Sequence, residues 1–484
     1  MQLVDYSNGK TFTIGLGKEG MMPRQDDKQL NICFDAQPPL TELLYKSDFF
    51  VQLECRAEMD GTLGVQTAAL VKTADQTIPD GKLGFMATSI LPDGFSSQVV
   101  NFAARLKEIT QRPLTMVLSG QGRGLRDLKS DTAAAKSLGI VNFFAVTGNI
   151  APDHKPDSKG HYPPYVKGYT DSLDTLAALK ELSSGLSLGA AVNPFKYTPE
   201  DQCLQYAKMF RKCANGADFI VTQAGWDLKK YQELQWFMQM RELVKPVLAR
   251  IAFLSIEQAQ NLSESYFSGL VIPLPIASAL QRHAVSQEDF MKYQCDLLAL
   301  QVVGLKFLGY NGIQISGIFD SNVFKQFWEA YEQASGAIPS YLEWLRKWHD
   351  FHGNISLAPA PTFHSNRPHY LFSNLLEPEP LNYDSNSSQL ASASLAQPPW
   401  SDKLKASLLR PEAEGFAARM AKKFIKRGDE KTYGIDNSSC PKRLTVCPCG
   451  NSRSDGYCEA NHAPCIFKKV VELSAVFNEM NLLD

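Results

Sequence analysis

Cys440, Cys447, Cys449, Cys458 and Cys465 crowd one C-terminal stretch of a 484-residue chain, in the run C-P-K-R-L-T-V-C-P-C-G-N-S-R-S-D-G-Y-C-E-A-N-H-A-P-C. Turn formers fill the gaps, and turns bring thiols together without a large core. Four thiolates converging on one point are what tetrahedral zinc or an iron–sulfur (4Fe-4S) cluster requires. The competing reading is a disulfide framework, which belongs to small secreted domains. Met1–Lys10 shows neither a basic start nor an apolar stretch, so no export signal is read and a cytoplasmic, metal-binding protein is expected. The other cysteines, Cys33, Cys55, Cys203, Cys213 and Cys295, are scattered and read as small core residues or inert thiols.

A second set of chemistry-bearing residues lies upstream, each at the end of an apolar run: Glu54, Thr88, Ser119, Thr147, Asn193 and Gln223. The runs are 49–54, 83–88, 114–119, 142–147, 186–193, 218–223, 246–252 and 312–317. Continuous apolar runs suit strands buried on both faces, as in a parallel sheet covered by helices. Eight strands at roughly 30-residue spacing, separated by helical patterns such as Ser96–Ile109 and Glu200–Ala214, predict a (β/α)8 TIM barrel. A doubly wound open sheet is the competitor, but the Gly-rich turn it normally carries after its first strand is missing. In a barrel the C-terminal strand ends line the active-site mouth. The bland alternative is that each polar residue merely caps the next helix.

The layout is then an N-terminal extension over 1–48, with a turn signal at Ser7-Asn8-Gly9, and an α/β barrel over 49–335. A linker or wrapping arm follows over 336–397, beginning with an aromatic helix at Tyr341–His349, and a cysteine-rich metal-binding C-terminal domain covers 398–484. A short basic helix is predicted around Glu412–Arg427. With 49 basic and 51 acidic residues, the net charge of −2 argues against nucleic acid as a partner. No run approaches the roughly 18 apolar residues that span a bilayer, so no membrane partner is expected.

The cysteine segment resembles the C-terminal domain attached to many bacterial methylenetetrahydrofolate reductase homologues. The residues that carry the likeness are Cys440-Pro441-Lys442-Arg443-Leu444, Pro448-Cys449-Gly450, Gly456-Tyr457-Cys458-Glu459 and Cys465-Ile466-Phe467. The resemblance implies Cys440, Cys449, Cys458 and Cys465 as metal ligands; Cys447 stands where the pattern has glycine and is a spare or substitute. The barrel is similar to the reductase itself through Leu128-Lys129-Ser130-Asp131, Ser137-Leu138-Gly139-Ile140, Ala145-Val146-Thr147-Gly148-Asn149, Gly189-Ala190-Ala191-Val192-Asn193-Pro194 and the run Lys212 to Asp227.

That resemblance implies a flavin-dependent oxidoreductase (FAD or FMN) interconverting 5,10-methylenetetrahydrofolate and 5-methyltetrahydrofolate, with NAD(P)H as a candidate electron donor. Glu54 would be the general acid at folate N10, a role that burial beside an apolar ring favours. Gln223 and Asp227 would bind the folate. Thr88, Ser119, Gln121, Arg123, Thr147, Asn149, Asp171, Asn193 and Lys212 would bind the flavin, Lys212 near its phosphates. The chain departs from the family at Ser119-Gly120-Gln121, at Asn149 in place of aspartate and at Arg250 in place of glycine. A neutral amide beside the flavin would make it a stronger oxidant, which biases the expectation toward oxidising methyltetrahydrofolate in a demethylation pathway. The alternative is a non-catalytic folate-binding subunit that docks onto a methyltransferase or an electron-transfer protein. Homo-oligomerisation is expected in either case.

Overall fold

The computed structural model describes residues 2–5, 10–13, 37–58, 62–88, 97–150, 154–158, 162–165, 167–182, 185–262, 268–361, 367–392, 395, 397–409, 415, 418–419, 440–445, 447–461 and 463–477. Met1–Asp35 and Ala36–Asp484 are separate compact units. In the first, Gln2–Asp5 pairs antiparallel with Lys10–Thr13. The Ser7-Asn8-Gly9 turn, Cys33 and nearly all of the predicted helix Glu412–Arg427 lie outside the described residues.

The second unit is built on eight strands: β1 (Phe50–Arg56), β2 (Leu83–Thr88), β3 (Leu114–Ser119), β4 (Asn142–Val146), β5 (Ser187–Val192), β6 (Phe219–Thr222), β7 (Val247–Ala252) and β8 (Gly312–Ser316). All neighbours are parallel, and β8 pairs with both β7 and β1, which closes the barrel. Each strand falls on one predicted apolar run to within two residues. Nearly every strand residue is buried, as expected for strands wedged between a filled barrel interior and an outer ring of helices. The barrel closes tightly at β8, where a Cβ on Gly312 would stand 2.0 Å from the Phe50 carbonyl oxygen.

Beneath the barrel sits the helix Leu40–Lys46, a role the sequence did not announce for residues 1–48. Leu40 N–H donates to Asn142 Oδ1 (2.6 Å) at the start of β4, and Thr41 Oγ1 meets Ser187 Oγ (2.7 Å) at the start of β5. Leu40 and Leu44 join Phe50, Met86, Phe144, Phe219, Val221 and Leu248 in one apolar cluster. The plug leaves the opposite, C-terminal end of the strands as the open one.

The aromatic helix is present as Tyr341–Phe351, with Tyr341, Trp344, Leu345 and Trp348 buried. Trp344 Nε1 donates to Leu300 O (2.9 Å) on the helix Gln287–Phe307, where Gly304 makes room: a Cβ there would stand 2.1 Å from Trp344 Cζ2. Residues 367–392 then run along the helix Leu228–Met240, pinned by Gln232, Glu233 and Trp236. Among the described residues no helix is long and apolar enough to cross a membrane.

Candidate active site at the barrel mouth

The strand ends open into a cavity of about 620 Å3. Glu54, Thr88, Ser119, Gln121, Arg123, Thr147, Asn149, Asn193, Lys212 and Gln223 all line it. Alternation along the strands brings this about: in a closed parallel sheet the last residues of every strand reach one rim, whatever their separation in the chain.

Glu54 closes the floor from β1 and is 9% exposed. Its Oε2 accepts from Gln314 Nε2 (3.3 Å) of β8, and its Oε1 lies 3.9 Å from Arg56 Nη2. Gln314 Oε1 in turn accepts from Arg250 Nε of β7. The Arg250 guanidinium thus occupies the floor beside the acid, with Cζ 5.9 Å from the Phe144 ring centroid. Burial lowers the Arg250 pKa, and Glu54 partly offsets that. Sequence reasoning missed Gln314 as a site residue. Its signal was present, an amide inside the apolar run G-I-Q-I-S.

On the β3–β5 side the groups are cationic. Arg123 is buried, holds Asp131 at 2.9 Å through Nη2, and leaves Nη1 without a hydrogen-bond partner among the described residues. Gly148, at φ +86°, passes so close that a Cβ would meet Ser119 Oγ at 2.5 Å and Gln121 Cβ at 2.7 Å. That approach packs the loop after β4 against the loop after β3, while the open Arg123 donor suits an anionic group such as the phosphate of a flavin. Lys212 Nζ donates to Ala191 O (2.6 Å). Burial, then the charge of Lys208 one turn away, pushes its pKa down to about 7, against Asp171 and Cys447.

Two predicted residues stand off the cavity. Asp171 pairs with Lys208 (2.8 Å), caps Leu173 N–H (2.9 Å) and buttresses the rim from behind; although burial raises its pKa, Lys208 and the Leu173 N–H bring it below the ordinary value. Asp227 is the N-cap of the helix Leu228–Met240 and accepts from Tyr197 OH (3.0 Å) and Tyr370 OH (2.6 Å). Its carboxylate belongs to a buried network with these tyrosines and does not line the cavity.

Gln223 and Asn193 reach the rim but are already engaged. Gln223 Nε2 donates to Ser268 O (2.9 Å), and Asn193 Nδ2 donates to both Gly269 O and Gly450 O (2.9 Å each). Gly450 belongs to the cysteine segment, whose residues Cys449, Gly450 and Asn451 form one wall of the cavity. The segment is seated by cations that grip its main chain: Lys196 Nζ on Ser452 O (2.6 Å) and Lys208 Nζ on Pro448 O (2.9 Å). In the other direction, Lys442 Nζ grips Gly148 O (2.5 Å), and Glu459 accepts from Ser268 Oγ (3.1 Å) and Gly269 N–H (3.0 Å).

Nine cysteines are described and all are free thiols. Burial raises the pKa of Cys440, Cys458 (to about 11) and Cys465, and the Cys449 sulfur pushes all three further up. Backbone N–H groups aim at the same sulfurs: Leu444 and Lys442 at Cys440, Asn461 and Ala460 at Cys458, Phe467 at Cys465. Crowded thiols with amide donors suit a thiophilic cation, whose charge reverses the mutual repulsion. Among the described residues, however, no three His, Cys, Asp or Glu side chains converge closely enough to hold a metal ion. Cys447 turns elsewhere, accepting from Arg211 Nη1 (3.4 Å).

Residues 93–313 match the family model for methylenetetrahydrofolate reductase. The match runs from β3 to the first residues of β8 and leaves β1, with Glu54, β2 and the cysteine segment outside it. No curated protein matches the chain in sequence. Among solved structures, an uncharacterized protein from Clostridium thermocellum that binds two copies of 5-methyl-5,6,7,8-tetrahydrofolic acid is 10% identical, with a TM-score of 0.41 over 61% of this chain and 98% of that one. A phosphoenolpyruvate phosphomutase from Streptomyces platensis subsp. rosaceus is 11% identical, with a TM-score of 0.33 over 65% and 94%. At such scores neither likeness speaks to the chemistry of this chain.

Proposed function

With a methylenetetrahydrofolate reductase family domain over residues 93–313, we propose that the chain is a flavin-dependent oxidoreductase interconverting 5,10-methylenetetrahydrofolate and 5-methyltetrahydrofolate. The observation that carries this reading is one cavity shared by Glu54 from β1, Asn149 from the β4 loop and Gln223 beyond β6. Opening the five-membered ring of the methylene form requires a proton at N10. Its closure in the reverse direction returns that proton. Glu54, buried at the end of β1 and lining the cavity, is the acid that would exchange it. A flavin, when bound, supplies or accepts the hydride. Arg123, Gly148 and Lys212 would hold its phosphate arm, and Thr147 with Asn149 would face its ring. Gln223 donates to Ser268 O and accepts from Ala224 N–H (3.1 Å), which leaves one amide hydrogen and one oxygen lone pair for the pterin edge.

The purified full chain tests this directly. It should carry or bind FAD or FMN, bind 5-methyltetrahydrofolate, and transfer electrons between the folate and an artificial acceptor. Loss of turnover in Glu54→Gln with both ligands still bound supports the assignment; unchanged turnover overturns it.

The Arg250 guanidinium favours a second reading. It lies beside Glu54 where the family has glycine, and a cation at the floor takes space and charge that a stacked flavin and pterin would otherwise occupy. A protein that binds 5-methyltetrahydrofolate, carries no flavin and shows no turnover would be a folate-binding subunit serving a methyltransferase or an electron-transfer protein.

A further inference from the structure

The wall contributed by the cysteine segment ends in Asn451. Its Nδ2 donates to Ser268 Oγ, while its Oδ1 accepts no hydrogen bond from any described residue and the side chain lines the cavity. Three amides meet here. A Cβ placed on Gly269 would lie 3.1 Å from Gln223 Nε2, 3.4 Å from Asn193 Nδ2 and 3.5 Å from Asn451 Oδ1. Gln223 and Asn193 come from barrel strand ends, and each gives a hydrogen to the 268–269 backbone. Asn451 arrives from the far end of the chain and presents an open acceptor on the same side.

Gly450 fixes how it arrives. At φ +90° the backbone turns as only glycine does without strain, and a Cβ there would stand 3.1 Å from Gln205 Oε1. The turn is tied on both sides, by Asn193 to Gly450 O and by Lys196 to Ser452 O. Asn451 is therefore held at the mouth by main-chain contacts, independent of its own side chain.

We propose that Asn451 is a specificity-determining residue of the barrel cavity, reading a donor on the edge of a planar heterocycle beside Gln223. The cysteine segment is then part of the binding site. For the pterin of a folate this rests on the function proposed above. An amide acceptor next to an amide donor suits a ring edge that carries the opposite pair.

The test uses the full chain. Calorimetric titration with 5-methyltetrahydrofolate should show Asn451→Ala binding about tenfold more weakly than the wild type, the loss expected for one buried hydrogen bond. Melting temperature and metal content should stay unchanged. Lys469→Ala breaks the partly exposed pair with Asp402 (3.3 Å) in the same segment and should keep an affinity within about twofold of the wild type. Wild-type affinity in Asn451→Ala, or an equal loss in Lys469→Ala, overturns the proposal. A panel of FMN, FAD, pterin-6-carboxylate and adenosine separates it from the folate reading. If the wild type binds a panel member but no folate, and Asn451→Ala loses that ligand, the folate assignment falls and the role of Asn451 stands. If nothing in the panel binds, both fall.

Discussion

Glu54 is the proposed proton donor, and its removal gives the sharpest residue-scale prediction. Glu54→Gln should lower turnover by about 10²- to 10⁴-fold, the range for a positioned general acid, with ligand affinity retained in titrations. Asn149 sets the second: Asn149→Asp should lower the reduction potential of bound flavin, read in a redox titration, and an unmoved potential would remove the argument for an oxidative bias. Lys212 sets the third. Below its folded value of about 7, both folded and unfolded chains carry the charge and the cost of burying it is full. That cost falls as pH rises through 7 and vanishes above the unfolded value of about 10.4. Urea midpoints should therefore climb over this interval in the wild type more than in Lys212→Met. Lys208, Asp171, Cys447 and Cys213 face the same amine, and Lys212→Met leaves them in place. The strand-end residues were legible because each terminates an apolar run. Arg250 was legible as a departure, but its path through Gln314 to Glu54 joins β7, β8 and β1, contacts that only barrel closure creates.

At the scale of elements, the arm at 367–376 is clamped by charges no periodicity reveals. Lys230 is fully buried, donates to Glu233 Oε1 (2.9 Å) and His369 O (2.9 Å), and lies 4.7 Å from the Tyr370 ring centroid. Glu233 also accepts from Tyr206 OH (2.9 Å), Gln202 and Leu371 N–H (2.5 Å). Lys230→Met strands the Glu233 carboxylate in a dry interior and should cost about 3–5 kcal/mol in urea unfolding. In sequence, Asp227 looked like the end of a binding motif. The tyrosines that claim it, Tyr197 and Tyr370, are distant in the chain, and no local pattern links them. The eight strands, by contrast, were readable to within two residues, because burial on both faces demands unbroken apolar runs. Helix Leu40–Lys46 escaped notice because its partners, Asn142 and Ser187, lie on strands that come near it only once the sheet closes.

For the whole molecule, the cysteine segment and the barrel share a boundary through Cys449, so the thiol site and the cavity are mechanically joined. Elemental analysis should find bound metal reduced in Cys465→Ser and retained in Cys447→Ser, whose sulfur faces Arg211; equal retention in both would remove the four-thiol assignment. The manner of attachment has its own consequence. Lys196, Lys208 and Asn193 all hold carbonyl oxygens, which every amino acid supplies, so the seat is indifferent to the side chains at positions 448 and 452. Gly450 and Gly456, by contrast, take left-handed backbone conformations that favour glycine. Substitution at Asn451 can thus rewrite what the pocket presents to a ligand while the backbone that carries it, held through the carbonyls on either side, keeps its course.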